Sequence, residues 1–322
     1  MTVVRPKTKI VRFSHEYLDD VAKLAVKSYL KQFHKMPFLP EALKKEERMK
    51  AFLQDIIEHY PGVVTIHDDD VIGYFCGKQI LSYQDRMNAI YIPEWGHYAD
   101  DDHSEIYYNM YKEIASTWID RGYRFHMISV YQAETIVQET IAWLGFGRYI
   151  IDGAVNVGKF SIDHKKITED YEIRVGTLSD LHLVIPLSLE LEQYLARAPI
   201  FLHKETTNIH YFRKWAEKEG HKFWLAFDDS TPIGFIQIES DAEDVSTIVQ
   251  DSGSVSITGL YVSPSYRNHD LGKRLLEQAV QWTLDHGYKR LCVDFESVNN
   301  IGREFWLKYF KPFSFSYYRY TL

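Results

Sequence analysis

The chain has 322 residues, 45% of them hydrophobic and 25% charged, with a net charge of −8. That length suits two domains with proper cores, and the composition argues against disorder. The acidic balance argues against nucleic acid or an anionic membrane as partner and is compatible with a cationic small molecule. Only two cysteines occur, Cys76 and Cys292. Both lie in apolar strand-like runs and read as reduced, buried thiols. The N-terminus lacks a signal-peptide core and no run approaches a membrane span, so a cytoplasmic protein is expected.

In chain order, Lys9–Phe13 reads as a strand, and Leu18, Val21 and Leu24 begin a helix. Residues 34–60 supply a proline-broken loop and a second helix. A hairpin follows over Val63–Gly77, turning at Asp68–Asp70. Ala89–Ile92 is a further strand. Ile106–Ile119 is helical, with Ile106, Met110, Ile114 and Trp118 on its apolar side. Phe125–Val130 returns as a strand. Ser161–Asp170 is polar and unpatterned, as linkers are. Strand Tyr171–Val175 and a helix carrying Leu181, Leu183 and Leu187 then repeat the opening.

Two further matches complete an internal repeat. Val71-Ile72-Gly73-Tyr74-Phe75 pairs with Pro232-Ile233-Gly234-Phe235-Ile236, each after an acidic turn. Asp120-Arg121-Gly122-Tyr123-Arg124 pairs with Asp285-His286-Gly287-Tyr288-Lys289, each between an amphipathic helix and a strand. Agreement in order and in element type marks two copies of one plan. The expected domains are 1–162 and 170–322. Helices alternate with strands in the second part of each copy, so each is expected to hold a mixed α/β sheet.

The second copy contains the most informative stretch, Ile257–Arg274. Ile257–Val262 reads as a strand and Ser263–Tyr266 as a turn. Leu271, Leu275, Leu276, Ala279, Val280 and Thr283 fall at helical spacing. A basic loop at a helix start is a place to hold phosphate, because the first N–H groups are unpaired and the dipole is positive there. Other chemistry finds no support. Fourteen histidines give no His-x-x-His pair and the cysteines no Cys-x-x-Cys pair, so no metal is expected. There is no Gly-x-Ser-x-Gly elbow.

Leu260-Tyr261-Val262-x-Pro264-x-Tyr266-Arg267, then Leu271-Gly272, a long helix, His286-Gly287-Tyr288 and a strand, resembles the GNAT superfamily of N-acetyltransferases. Val298-Asn299, Phe305-Trp306 and the Tyr309–Phe313 stretch are similar to its closing elements. The resemblance covers residues 171–322, and through the repeat extends more weakly to residues 8–160, like the tandem members; it implies two α/β (α+β) domains, each a mixed, mostly antiparallel sheet flanked by helices. It implies acetyl-CoA as co-substrate, held by Leu260, Tyr261, Val262, Arg267, Asn268, His269, Asp270, Leu271, Gly272, Lys273 and Asn299.

The family loop is Gln or Arg, two residues, Gly, one residue, then Gly or Ala. Here its middle glycine is Asp270. That carboxylate either caps the helix, accepting from the Gly272 or Lys273 N–H, or repels pyrophosphate. Arg267, Lys273 and Arg274 offset its charge. In the first copy the same loop is Asp100–Glu105, whose four carboxylates suit a helix dipole but not a pyrophosphate. The first domain is therefore expected not to bind acetyl-CoA, and instead to help shape the substrate cleft.

The resemblance also implies direct transfer to an amine in a ternary complex, which needs a carbonyl donor, a base and an acid. The donor is a backbone N–H of Leu260–Val262. The family's tyrosine position holds Trp306, whose indole cannot lose a proton usefully. Tyr309, one helical turn on, is the candidate acid. Glu239 and Glu296, each ending a strand, are the candidate bases. The expected function is N-acetylation of a small-molecule primary amine. The alternatives are a non-catalytic acyl-CoA-binding or scaffold protein, and a protein acetyltransferase with an open peptide groove.

Overall fold

The structure is a computed structural model that describes residues 8–59, 62–83, 87–100, 104–161, 171–202, 208–243 and 245–321. The chain sorts into two compact units, Met1–Ile151 with Phe313–Leu322, and Asp152–Pro312. These do not coincide with 1–162 and 170–322. The last strand of the second copy joins the first unit, and the end of the first copy joins the second.

The first unit opens with β1 (Thr8–Arg12), α1 (Leu18–Lys35) and α2 (Glu46–His59). α1 buries Val21, Leu24, Ala25, Ser28, Tyr29 and Gln32, a stripe at three- and four-residue spacing. The hairpin β2 (Gly62–His67) and β3 (Asp70–Cys76) turns at Asp68 and Asp69, both at positive φ. Aspartate is among the few side chains that tolerate that conformation. β4 (Lys78–Tyr83), β5 (Met87–Ile92), β6 (His97–Ala99), α3 (Ser104–Asp120), β7 (Phe125–Tyr131) and α4 (Thr135–Trp143) follow. β8 (Gly147–Asn156) then carries the chain out of this unit and into the next.

Two sheets form in the first unit. One has the order β1-β2-β3-β6. The other runs β4-β5-β7 and continues into the chain's final strand, Lys311–Tyr320, antiparallel to β7 with Phe315 opposite Val130.

The second unit contains β9 (Glu172–Val175), α5 (Leu181–Ala196), α6 (Ile209–Ala216), β10 (Lys222–Asp228), β11 (Thr231–Glu239) and β12 (Ser254–Val262). It continues with α7 (Leu271–Asp285), β13 (Arg290–Glu296) and α8 (Asn300–Tyr309), before that final strand, β14. Its strand order is β13-β12-β11-β10-β9. All neighbours are antiparallel except β12 and β13.

Helices cover both faces of this sheet. Leu181, Val184 and Leu187 of α5 and Phe212 and Trp215 of α6 form one core with Phe223, Leu225, Phe235 and Tyr261 of the strands. α7 covers the other face and buries all six positions that the sequence spacing selects. Each buried leucine there contributes about 1.5–3 kcal/mol. α7 lies close over β11 because Gly234 has no side chain. A Cβ there would stand 2.8 Å from the Tyr261 carbonyl oxygen and 3.4 Å from Leu275 Cδ1. No described helix is long and apolar enough to cross a membrane.

Candidate active site

β12 and β13 pair in parallel only from Ser254–Arg290 to Ile257–Val293. Beyond that point β12 runs on to Val262 and β13 to Glu296 without pairing to each other. β12 remains paired to β11 as far as Val262. Its register shifts between Gln237 and Ile238, so Thr258 is an extra residue. Such a bulge bends a strand and frees backbone groups. The two strands splay, and the β13-facing edge of Thr258–Val262 is left to line a cavity of about 560 Å³. Pockets of that size commonly hold small ligands.

The loop after β12 closes one end. Tyr266 donates its hydroxyl to Asp228 Oδ2 at 2.8 Å, fixing the loop to the β10–β11 turn. Asn268 and Asp270 both have positive φ, 68° and 57°. This is the conformation glycine adopts freely and Asn or Asp adopts most readily among the rest. Asp270 thus keeps a glycine-like backbone where the family pattern has glycine. Its side chain makes no capping hydrogen bond, so the helix-cap expectation is not met. In this left-handed conformation the carboxylate does not bond the N–H groups of the first turn. The first turn of α7 is the positive end of its dipole.

Arg267 turns away from that helix start. Its Nε donates to the Val262 carbonyl at 3.0 Å, and its guanidinium lies 5.6 Å from the ring centroids of both Tyr194 and Tyr261. Lys273 lines the cavity. Arg274 does not; it donates to the Tyr171 carbonyl at 2.8 Å. His269 is exposed and outside the lining. The Leu271 side chain is buried beneath the loop, which leaves its backbone to face a ligand.

The far wall comes from β13 and α8. Asn299 caps α8, its Oδ1 accepting from the Gly302 N–H at 3.1 Å and from the Tyr194 hydroxyl at 2.8 Å. Asn300 bonds instead to Glu304 and Arg303 and is not among the lining residues, whereas Asn299 is. Glu296 lies at the end of β13 and lines the cavity. Trp306 is buried edge-on against Phe305 and Phe310.

Tyr309 lines the cavity beside Phe305, ring centroids 5.2 Å apart. Burial raises its pKa first, and the carboxylates of Asp270 and Glu277 raise it further. The phenol therefore keeps its proton at neutral pH, the state an acid needs. Cys292 is buried and pushed up to about 12 by desolvation, so it is no nucleophile.

Glu239 is not brought into this cavity. Its Oε1 accepts from Trp215 Nε1 at 2.5 Å. It groups with His221 and Asp241, whose ligand-type atoms lie within 4.8 Å of one another. Protein donors already serve these carboxylates, since Lys218 stands 3.8 Å from Asp241.

Tyr194, Leu191 and Leu195, all on α5, line the cavity and escape the sequence reading. Their signal is the spacing Leu187, Leu191, Tyr194, Leu195, which continues the core stripe beyond the core itself. Thr258 and Gly259 were likewise hidden, because a bulge leaves no mark in composition.

The first unit handles the corresponding region differently. β5 pairs in parallel with β7 and ends at Ile92, while β6 pairs with β3 in the other sheet. Trp95, His97, Tyr98 and Tyr131 are buried there. His97 bonds Tyr107 at 3.0 Å and donates from Nε2 to the Ser129 carbonyl at 2.9 Å. Asp100 pairs with Lys27 and accepts from the Tyr98 hydroxyl at 3.2 Å. Residues 101–103 of the acidic loop lie outside the described residues.

Residues 189–310 match the Acetyltransferase (GNAT) family. The chain has the fold of a GCN5-related N-acetyltransferase from Sphaerobacter thermophilus, with a TM-score of 0.61 over 97% of this chain and 95% of that one, at 10% identity. A GCN5-related glucosamine N-acetyltransferase region in a fungal multi-domain GH3 β-N-acetylglucosaminidase aligns over 98% of this chain and 38% of that one. Its TM-score is 0.54 and its identity 10%. At such identity the likeness is one of fold. A search of curated proteins gives no significant match.

Proposed function

We propose that the second unit transfers an acetyl group from acetyl-CoA to a small-molecule primary amine, by direct attack in a ternary complex. The observation that carries this reading is the splay of β12 from β13, opening onto a loop of glycine-like conformation at a helix start. An unpaired strand edge is suited to hold an extended, amide-bearing chain, and a helix start to hold phosphate. Backbone groups of Leu260, Tyr261 and Val262 serve the first role, and those from Arg267 to Lys273 the second.

Acetyl-CoA supplies the acetyl group activated as a thioester. A backbone N–H on the β12 edge stabilises charge on the carbonyl oxygen. Glu296 takes the proton released as the amine's N–C bond forms. Tyr309 protonates the thiolate as the C–S bond breaks. Asn299 holds the start of α8 against α5. Glu239 has no part, since it lies outside the cavity.

The first unit does not bind acetyl-CoA in this way. Trp95, Tyr98 and Tyr131 are buried in the region that corresponds to the second unit's cavity.

The reading of a non-catalytic acyl-CoA-binding protein is favoured by Trp306 at the family's tyrosine position. A free-thiol assay over a panel of primary amines separates the two. Acetyl-CoA-dependent thiol release that rises with one class of amine supports the enzyme. Binding of acetyl-CoA with no release over the whole panel supports the binding protein.

A further inference from the structure

The Arg267 guanidinium lines the cavity and meets there two tyrosine rings and a backbone carbonyl. It lies on the α5 side of the sheet, between Tyr261 of β12 and Tyr194 of α5. Tyr261 belongs to the core under α5 and α6, whereas the helix start that suits phosphate belongs to α7, on the other face. Only its Nε is committed to the backbone, at Val262. Among the described residues no carboxylate forms an ion pair with it. Half-buried guanidinium groups are ordinarily matched by an anion, and their paired N–H groups suit a carboxylate.

A carboxyl side chain, Glu296, lines the same cavity. Tyr194 hydrogen-bonds Asn299, and its hydroxyl feels both Arg267, which lowers its pKa, and Glu296, which raises it, within a net rise due to burial. Arg267 and Glu296 thus both act on one tyrosine of the lining, and no ion pair joins them. The Tyr261 hydroxyl is shared: burial and the exposed Glu190 of α5 raise its pKa, while Arg267, which also meets that hydroxyl, lowers it. Leu191, Leu195 and Ile257 add apolar side chains to the same lining.

We propose that the acceptor is an amine that also carries a carboxylate, of the apolar amino-acid class. Its carboxylate is held by the Arg267 side chain, its amine faces Glu296, and its side chain meets Leu191 and Leu195. This rests on the transferase reading above. It also divides the role of Arg267: the backbone serves the coenzyme and the side chain serves the acceptor. Attack forms the N-acetyl amino acid and releases the free thiol, the amine proton leaving through Glu296.

The probes are leucine and phenylalanine beside the same compounds without the carboxylate, isoamylamine and phenethylamine. Thiol release is measured for wild type and Arg267→Gln, with acetyl-CoA affinity measured by calorimetry. The amino acids are expected to exceed their decarboxylated partners by about tenfold or more in kcat/KM, the usual scale for one charge-assisted pair. Arg267→Gln is expected to erase that preference by raising the amino-acid KM, while the acetyl-CoA Kd moves by less than about threefold. Arg267→Lys is expected to restore part of it. If acetyl-CoA binds and the decarboxylated amines react equally well, or no probe reacts or binds in an Arg267-dependent way, the proposal is overturned alone. If acetyl-CoA does not bind, the transferase reading fails with it.

Discussion

Tyr194 donates its hydroxyl to Asn299 Oδ1 at 2.8 Å, joining the C-terminal part of α5 to the first turn of α8 across one end of the cavity. The same oxygen caps α8 through the Gly302 N–H at 3.1 Å. One amide therefore sets both the helix start and the position of a tyrosine on another element.

Tyr194→Phe removes that tie and keeps the ring. The expected cost in stability is about 0.5–1.5 kcal/mol, the usual net value of one hydrogen bond, measured by urea unfolding. The acceptor KM is expected to rise more than the acetyl-CoA Kd, since the ring lies on the α5 side with Arg267. An unchanged acceptor KM would mean that the tyrosine is packing alone.

Asp270→Gly tests the loop. Asp270 holds a φ of 57° and caps nothing, so glycine relieves the backbone and sacrifices no hydrogen bond. The melting temperature is expected to stay level or rise slightly, within about 1 kcal/mol. Removing a carboxylate beside the helix start is expected to tighten acetyl-CoA binding. Asp270→Ala removes the same charge but not the strain, and is expected to be less stable than the glycine variant. Weaker acetyl-CoA binding in Asp270→Gly would show that the carboxylate helps rather than hinders.

Tyr309 is expected to remain protonated above the ordinary tyrosine range, because burial and the nearby carboxylates of Asp270 and Glu277 all disfavour the phenolate. If it is the acid, kcat holds to high pH and then falls as the phenol ionises. Tyr309→Phe is expected to lower kcat about 10²–10⁴-fold and abolish that alkaline fall. A kcat within about twofold of wild type would leave the thiolate departing unaided.

In the first unit, His97 and His126 are both buried and lowered to about 4, chiefly by desolvation. A depressed pKa means that the unfolded chain binds protons first as pH falls. Stability from these groups is present above about 6.5 and is lost progressively toward pH 4. The melting temperature is expected to drop over that window. His97→Gln is expected to flatten the slope there, at some cost at neutral pH. A flat profile between pH 6.5 and 4 would contradict neutral burial of these rings.

Much of this was legible in the residues because it depends on periodicity. The buried stripe of α7, the acidic turn at Asp68 and Asp69, and the repeated strand–helix order all follow from spacing and turn chemistry. What stayed hidden depends on tertiary placement. The departure of the final strand for the first unit needs knowledge of which sheet has an open edge. Asp270 suits either a cap or a repelling charge by type and position, and only its backbone, at a φ of 57° with no capping hydrogen bond, separates the two. Glu239 and Glu296 looked alike as strand ends, but only β13 splays, and so only Glu296 meets the cavity. Tyr194 continued a core stripe and could not be told from packing.

Calorimetric titration of the whole chain with acetyl-CoA bears most directly on the proposed function. One molecule bound per chain is expected, with binding weakened by Lys273→Glu at the helix start. Two molecules bound per chain would contradict the silence proposed for the first unit. No heat at high micromolar coenzyme would contradict the acetyl-CoA site itself.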